Sequence, residues 1–188
     1  MDILKILKEK KALLEGHFLL SSGLHSGQYI QLALVLQYPL IAEKIAEALA
    51  RKFKDKKVDV VISPALGGIV IGYQIAKFLK ARAIFSEREN SRMTLRRGFN
   101  IFPNEKVLIV EDVVTTAKSI KEVKRLVKKK KGTVVGYGCV VDRRKNKKSL
   151  SLKSLLKLHI KIFSPRNCPL CKKGVSLIKP GSRTFKTR

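Results

Sequence analysis

Glu111 and Asp112 stand side by side directly after four apolar residues, Val107-Leu108-Ile109-Val110, and directly before Val113-Val114-Thr115-Thr116-Ala117-Lys118-Ser119. A short apolar run rich in β-branched residues predicts a strand buried on both faces, with the two carboxylates at its end. The hydroxyl-bearing and small residues predict a turn, and Ile120, Val123, Leu126 and Val127 fall at helical spacing over 120–130. Strand, acidic pair, hydroxyl-rich turn and helix together make a site for a sugar phosphate. N–H groups at the start of a helix point at an anion, the helix dipole favours it, and the threonine and serine hydroxyls add donors. The carboxylates repel a phosphate. They suit ribose hydroxyls or a magnesium ion, which takes hard oxygen ligands and often bridges substrate phosphates.

Three other stretches carry chemistry-bearing residues. Ser63-Pro64-Ala65-Leu66-Gly67-Gly68 lies between an apolar run and a helical pattern, where small residues let backbone approach a ligand; a Gly-Gly turn is also common in ordinary connections. Residues 87–97 include Arg88, Arg92, Arg96 and Arg97. They read either as a solvated loop or as guanidinium forks for phosphate oxygens. Asp142-Arg143-Arg144 closes an apolar run, and is either a plain strand end or a permanent cation for an anionic ligand.

The elements that must position these residues follow from periodicity. Helices are expected over 2–14, stopped by Gly16, over 39–53, opened by Pro39, over 69–79, and over 149–158. Strands are expected over 58–62, 82–86, 99–102, 106–110, 133–141 and 160–163, and short strands over 17–37, with turns at Ser22-Gly23 and near Ser26-Gly27. Residues 145–148 read as a charged loop and 165 onward as a coil-rich tail. The βα alternation implies an α/β fold, a mainly parallel sheet flanked by helices. Ligands of such sheets sit at the carboxyl ends of the strands, where the Ser63, Glu111 and Asp142 segments all lie.

A chain of 188 residues with 45% hydrophobic residues fits one domain with a sizeable core. Its 41 Lys plus Arg against 14 Asp plus Glu give a formal charge of +27. That would attract polyanions, but the lysines are spread along the chain and aromatics are only 6%, so a solvated basic surface is the preferred reading and nucleic acid the lesser one. No run approaches eighteen apolar residues and no signal-peptide core opens the chain, so no membrane partner and a cytoplasmic location are expected. Of three cysteines, Cys139 reads as core. Cys168 and Cys171 form a lone CxxC, read first as structural and second as half of a zinc site, completed across a dimer axis, or as a redox pair. His17 and His25 lack a carboxylate neighbour in sequence and read as structural, so no metal ligands are assigned.

The segment 107–119 resembles the phosphoribosyl-pyrophosphate signature of the type I phosphoribosyltransferases. Gly16-His17-Phe18-Leu19-Leu20-Ser21-Ser22-Gly23-Leu24-His25-Ser26, Tyr29-Ile30-Gln31, Pro64-Ala65-Leu66-Gly67-Gly68, Met93-Thr94-Leu95-Arg96-Arg97-Gly98-Phe99, Cys168-Pro169-Leu170-Cys171 and Pro180-Gly181-Ser182-Arg183 resemble the orotate phosphoribosyltransferases in the same order. The resemblance implies the type I fold as one domain, with small hood elements over about 1–37, a core over about 38–164 and a tail over 165–188. It implies Mg²⁺-dependent transfer of ribose 5-phosphate from phosphoribosyl pyrophosphate to orotate, in pyrimidine biosynthesis, by a homodimer whose basic hood loop is shared between subunits. Carried over residue by residue, the sugar-phosphate site is Glu111, Asp112, Val113, Val114, Thr115, Thr116, Ala117, Lys118 and Ser119. The pyrophosphate loop is Ala65, Leu66, Gly67 and Gly68, with Arg88. Thr115 and Arg143 take orotate, while Asp112 and Arg92 act in catalysis. The family usually has two glycines where this chain has Ala117 and Lys118; Ala117 fits without strain only if the turn is right-handed. The alternatives are a purine phosphoribosyltransferase, or a regulator of the same fold that binds RNA or DNA.

Overall fold

The structure is a computed structural model and describes residues 1–20, 22–90, 92–145 and 150–180. Residues 146–148 of the expected charged loop, and 181–183 of the tail motif, lie outside the described residues.

Apolar strands buried on both faces organise the chain. β3 (Val60–Pro64), β6 (Lys106–Val114) and β7 (Thr133–Asp142) are parallel neighbours. Alternation sends their side chains to two cores. Val61, Leu108, Val110 and Val140 join the core beneath α1 (Ile3–Glu9), α3 (Pro39–Ala50) and α4 (Gly68–Leu79). Val60, Ile62, Val107, Ile109 and Cys139 join the core beneath α5 (Lys118–Lys129). The full sheet has the order β5-β4-β3-β6-β7-β8, adding β4 (Arg82–Glu89), β5 (Arg92–Thr94) and β8 (Leu152–Lys157); only the β4–β5 pairing is antiparallel. A second sheet of three antiparallel strands has the order β1-β2-β9, built from β1 (Leu13–Leu19), β2 (His25–Ile30) and β9 (Ile162–Phe163). The two short helices are α2 (Ala33–Leu36) and α6 (Pro169–Lys172).

The helices form where the pattern places an apolar stripe. α3 starts with Pro39 in its first turn and buries Ala42, Ile45, Ala46 and Leu49. A 3-10 turn, Arg51–Phe53, then carries Phe53 into the core. α4 lies unusually close to β3, since a Cβ at Gly72 would stand 2.0 Å from Ser63 Oγ and one at Gly68 would stand 3.1 Å from Ser63 Cβ.

Several expected elements differ. The first helix ends at Glu9: Lys11 takes φ +51°, and Leu13 begins β1 because pairing Leu13 with Ile30 outweighs one more helical turn. Gly16 therefore lies inside β1. Ser26-Gly27 is not a turn but the middle of β2; the Ser26 hydroxyl donates to Gln28 O and Lys161 O. Ser22-Gly23 is a turn, with Gly23 N–H donating to Leu20 O. Residues 99–102 form no strand; Phe99 and Ile101 pack from coil into the α5 core. The expected helix over 149–158 is instead β8, because β7 offers it a free edge and pairs Tyr137 with Leu152 and Asp142 with Lys157. The final strand shrinks to β9 and joins the small sheet rather than the large one. The tail contains α6 and a 3-10 turn, Pro165–Asn167.

Gly72→Ala places a methyl against Ser63 and is expected to destabilise the fold by about 1–3 kcal/mol. The shift of the denaturant midpoint at unchanged slope measures this.

Candidate functional site

The crevice opens where pairing stops on one side of β6. The β3–β6 ladder ends at Ile62–Ile109, while the β6–β7 ladder continues to Val114–Asp142. Glu111 and Asp112 are thus inside β6 rather than beyond it, in the stretch that runs beside β7 after the β3 ladder has ended. The connection from β3 leads to α4 on one face and that from β6 to α5 on the other, so the crevice is a topological switch point.

Across it the Ser63 loop meets the acidic pair. A Cβ at Gly67 would stand 2.6 Å from Asp112 Oδ2, so glycine there lets backbone lie directly against the carboxylate. The Ala65–Leu66 peptide is cis, and Leu66 is exposed. Burial pushes the Asp112 carboxyl above its ordinary value, partly opposed by hydrogen bonds from the N–H groups of Val113 and of Asp112 itself. Val114 and Ala117 turn their side chains into the α5 core and offer the crevice only backbone.

Tyr29, on β2, reaches the same place. Burial raises its phenol and the charge of Asp112 raises it further, while Arg143 acts the other way. Burial in turn lowers the Arg143 guanidinium, opposed by Tyr29. Arg143 N–H donates to Val114 O at 2.8 Å, fixing the end of β7 against the end of β6. Its side-chain Nε is buried without a hydrogen-bond partner among the described residues. Arg144 behaves differently. It grips Asp142 through Nε–Oδ1 and Nη2–Oδ2, each 2.9 Å, and donates from Nη1 to Leu150 O at 3.0 Å. The Asp142 hydrogen bonds are the main reason its guanidinium is held above its ordinary value. Of the two adjacent arginines, one is bound into the fold and the other faces the crevice.

Beyond Asp112 the chain turns through Thr115 and Thr116, both exposed, into α5. Ala117 caps this helix with φ +57° and ψ +21°, a left-handed conformation, so the right-handed turn in which alanine fits without strain is not the one formed. Such a backbone costs an L-residue roughly 1–2 kcal/mol; burial of the methyl, worth roughly 0.8 kcal/mol, offsets part of it. Lys118 is already helical, so the second family glycine has no left-handed position to fill. Its N–H donates to Thr116 Oγ1 at 3.4 Å. A cleft of about 260 Å³ beside this turn is lined by Thr116, Lys118, Lys121, Glu122 and Arg125. Another, of about 300 Å³, is lined by Met1, Ile3, Ala48, Arg51, Lys52 and Leu155 and shares no residue with the crevice.

The arginine-rich segment opens as a hairpin of β4 and β5 bearing Arg88 and Arg92, and only Arg96 and Arg97 follow it in coil and turn. Arg88 forms an ion pair with Glu122 of α5, Arg96 with Glu89 at 3.5 Å, and Arg97 with Glu87 through two contacts of 2.9 and 3.0 Å. Arg92 is exposed and has no ion pair among the described residues. The sequence reading missed Tyr29 and Glu122 as site residues. Tyr29 could have been found from strand alternation, which puts it and His25 on one face of β2; Glu122 carried no signal, being one acid on a lysine-rich helix face.

A family model described as the phosphoribosyl transferase domain matches residues 33–163. The orotate phosphoribosyltransferase of Caldicellulosiruptor bescii is 52% identical over 182 residues, 96% of each chain. That of Thermotoga maritima is 47% identical over 186 residues, 98% of this chain and 100% of its own. Among solved structures, the orotate phosphoribosyltransferase from Aeropyrum pernix has a TM-score of 0.68 at 25% identity, over 84% of this chain and 94% of that one. The UMP synthase of Leishmania donovani has a TM-score of 0.70 at 23% identity, over 82% of this chain and 35% of that longer one; this second likeness concerns the fold alone.

A raised Asp112 carboxyl makes the ionised form a burden on the free protein. The folded state binds the proton more tightly, so this contribution is complete below the ordinary value of 3.8 and is lost as pH rises through the higher folded value. Asp112→Asn is therefore expected to raise the melting temperature at pH 7 and to flatten its fall above pH 3.8, measured without ligands. Arg144→Met removes both guanidinium hydrogen bonds from the buried Asp142 carboxylate and is expected to cost about 3–5 kcal/mol. Arg143→Met is expected to stay within about 1 kcal/mol, and chemical denaturation compares the two.

Proposed function

The chain belongs to the orotate phosphoribosyltransferase family of type I phosphoribosyltransferases, and on that premise we propose that it transfers ribose 5-phosphate from phosphoribosyl pyrophosphate to N1 of orotate. The products are orotidine 5′-monophosphate and pyrophosphate. The observation that carries the reading is Arg143, a half-buried permanent cation with an unpartnered Nε at the carboxyl end of β7, beside Asp112 and Tyr29. A half-buried cation with no ion pair among the described residues calls for an anion, and orotate brings a carboxylate.

The bond from the anomeric carbon to pyrophosphate breaks as the bond to N1 forms, and positive charge develops on the ribose. Thr115, Thr116 and Ser119 hydroxyls, with the N–H groups opening α5, hold the 5′-phosphate. Lys118 adds a charge to that cradle. Glu111 and Asp112 hold the ribose hydroxyls and keep negative charge near the ring. Ala65, Leu66, Gly67 and Gly68 present backbone to the pyrophosphate. Arg92, which has no ion pair among the described residues, closes on the leaving group, joined by Arg88 once it exchanges Glu122 for phosphate oxygens. Thr115 and Arg143 orient the base. No covalent nucleophile is needed, since positioning and charge stabilisation lower the barrier.

The donor set suits Mg²⁺. Asp112 is a carboxylate whose charge burial leaves poorly compensated, and Glu111 adds a second hard oxygen donor. These two would hold the ion, which supplies charge neutralisation for pyrophosphate. The protein works as a single domain in which the small sheet is the hood, and as a homodimer sharing the hairpin between subunits. Among the described residues no helix is long and apolar enough to cross a membrane, in keeping with action in the cytoplasm.

Loss of orotate absorbance on mixing with phosphoribosyl pyrophosphate and Mg²⁺ tests the reading. Arg143→Ala is expected to lower kcat/KM for orotate by about 100-fold or more, because a bound carboxylate is left unpaired. Arg92→Ala is expected to lower kcat by about 100-fold with little change in orotate KM. Turnover of adenine or another purine in place of orotate would overturn the assignment.

A further inference from the structure

His17, His25, Cys168 and Cys171 meet on the small sheet, although His17 and Cys171 are far apart in sequence. One potential ligand atom from each lies within 4.8 Å of every other. His17 Nε2 stands 3.4 Å from Cys168 Sγ and 3.7 Å from Cys171 Sγ; His25 Nδ1 stands 3.3 Å from Cys171 Sγ. Around a tetrahedral zinc ion, bonds of about 2.3 Å to sulfur and about 2.0 Å to nitrogen set N···S edges of about 3.5 Å. The two ring nitrogens are 2.9 Å apart, so a movement of about 0.4 Å opens them to the N···N edge of such a tetrahedron. His17, His25 and Cys168 are buried, and both cysteines are free thiols.

The surroundings orient the donors. His17 Nδ1 lies 2.8 Å from Val175 O, a carbonyl that can only accept, so the proton sits on Nδ1 and the Nε2 lone pair faces the cluster. Cys168 caps the single turn of α6, which brings Cys171 round to the same side. Leu19 N–H donates to Ile178 O and Ile178 N–H to His17 O, so the tail is laid against β1 beside the cluster.

We propose that these four side chains bind one zinc ion as a closed structural site that fastens the 168–178 segment to β1 and β2. Two neutral imidazoles and two thiolates satisfy the ion and balance its charge, and two thiol protons are released on binding. Four protein ligands leave no open position for chemistry. All come from one chain, so no dimer axis is needed. The effect is mechanical: three short strands bury little apolar surface, and the ion supplies what that sheet lacks. His25 shares a face of β2 with Tyr29, so the ion also steadies the strand that enters the crevice.

The test uses the full chain, purified with zinc, dialysed and assayed for metal. One zinc per chain is expected, with a tetrahedral cobalt(II) spectrum, including thiolate charge-transfer bands, after exchange. Removing the ion with a chelator should lower the melting temperature by several degrees, restored by zinc. Cys168→Ser could fail to fold, so the exposed Cys171→Ser is the second variant, expected to bind zinc about 100-fold more weakly. Zinc-incubated wild-type protein with no bound metal and two freely reactive tail thiols would overturn the proposal. So would isolation of a Cys168–Cys171 disulfide.

Discussion

The Asp112 carboxylate occupies space that any side chain at residue 67 would need, and the crevice depends on keeping that space clear. α4 must settle close on β3, which Gly72 allows; only then does the preceding loop arrive as bare backbone against the end of β6. The tight approach positions the acid and also shields it from part of the water, which raises its carboxyl above the ordinary value. A hydrogen-bond donor or a cation placed against that carboxylate would repair the deficit, so binding there would gain where the empty fold is under strain.

Charge is apportioned the same way at the other walls. Three charged residues in a row, Asp142, Arg143 and Arg144, divide into a buried pair and a single cation. Without Arg144 to occupy Asp142, the acid would be free to neutralise its neighbour and cancel the site. Around the hairpin, Glu87 and Glu89 of β4 and Glu122 of α5 engage three of four arginines. With only 14 acids against 41 bases, most cations go without an acidic partner, so devoting three acids, two on the hairpin and one on α5, to these arginines is a structural commitment. It holds the β4–β5 ribbon over α5 and leaves Arg92 outward.

Legibility followed burial. β3, β6 and β7 were readable because a strand covered on both faces leaves an uninterrupted apolar run, and α3 and α4 because one stripe meets the core. β8 was not: its leucines and lysines fit a helix as well as an edge strand, and only the free side of β7 decides between them. Leu13 and Leu14 continued the α1 pattern by coincidence, since their partners lie on β2. Within the site, Glu111, Asp112 and Gly67 were legible from local chemistry. Tyr29 was quoted in a motif without a role, because its neighbours in space come from β6 and β7. The cysteine pair showed half of its constellation; the histidines were visible too, but nothing short of the fold joins residue 17 to residue 171.

The order of strands in the small sheet has a consequence for synthesis. A ribosome releases β1 and β2 early, yet their third strand is residues 162–163 and the tail that braces β1 extends to Ile178. Closing so long a loop carries an entropic cost that short-range contacts cannot offset beforehand. The large sheet has all its strands once residue 157 has emerged, while the sheet bearing Tyr29 gains its third strand only with residues 162–163 and its brace only with Ile178. A nascent chain thus holds every strand of the large sheet before the small sheet can be completed.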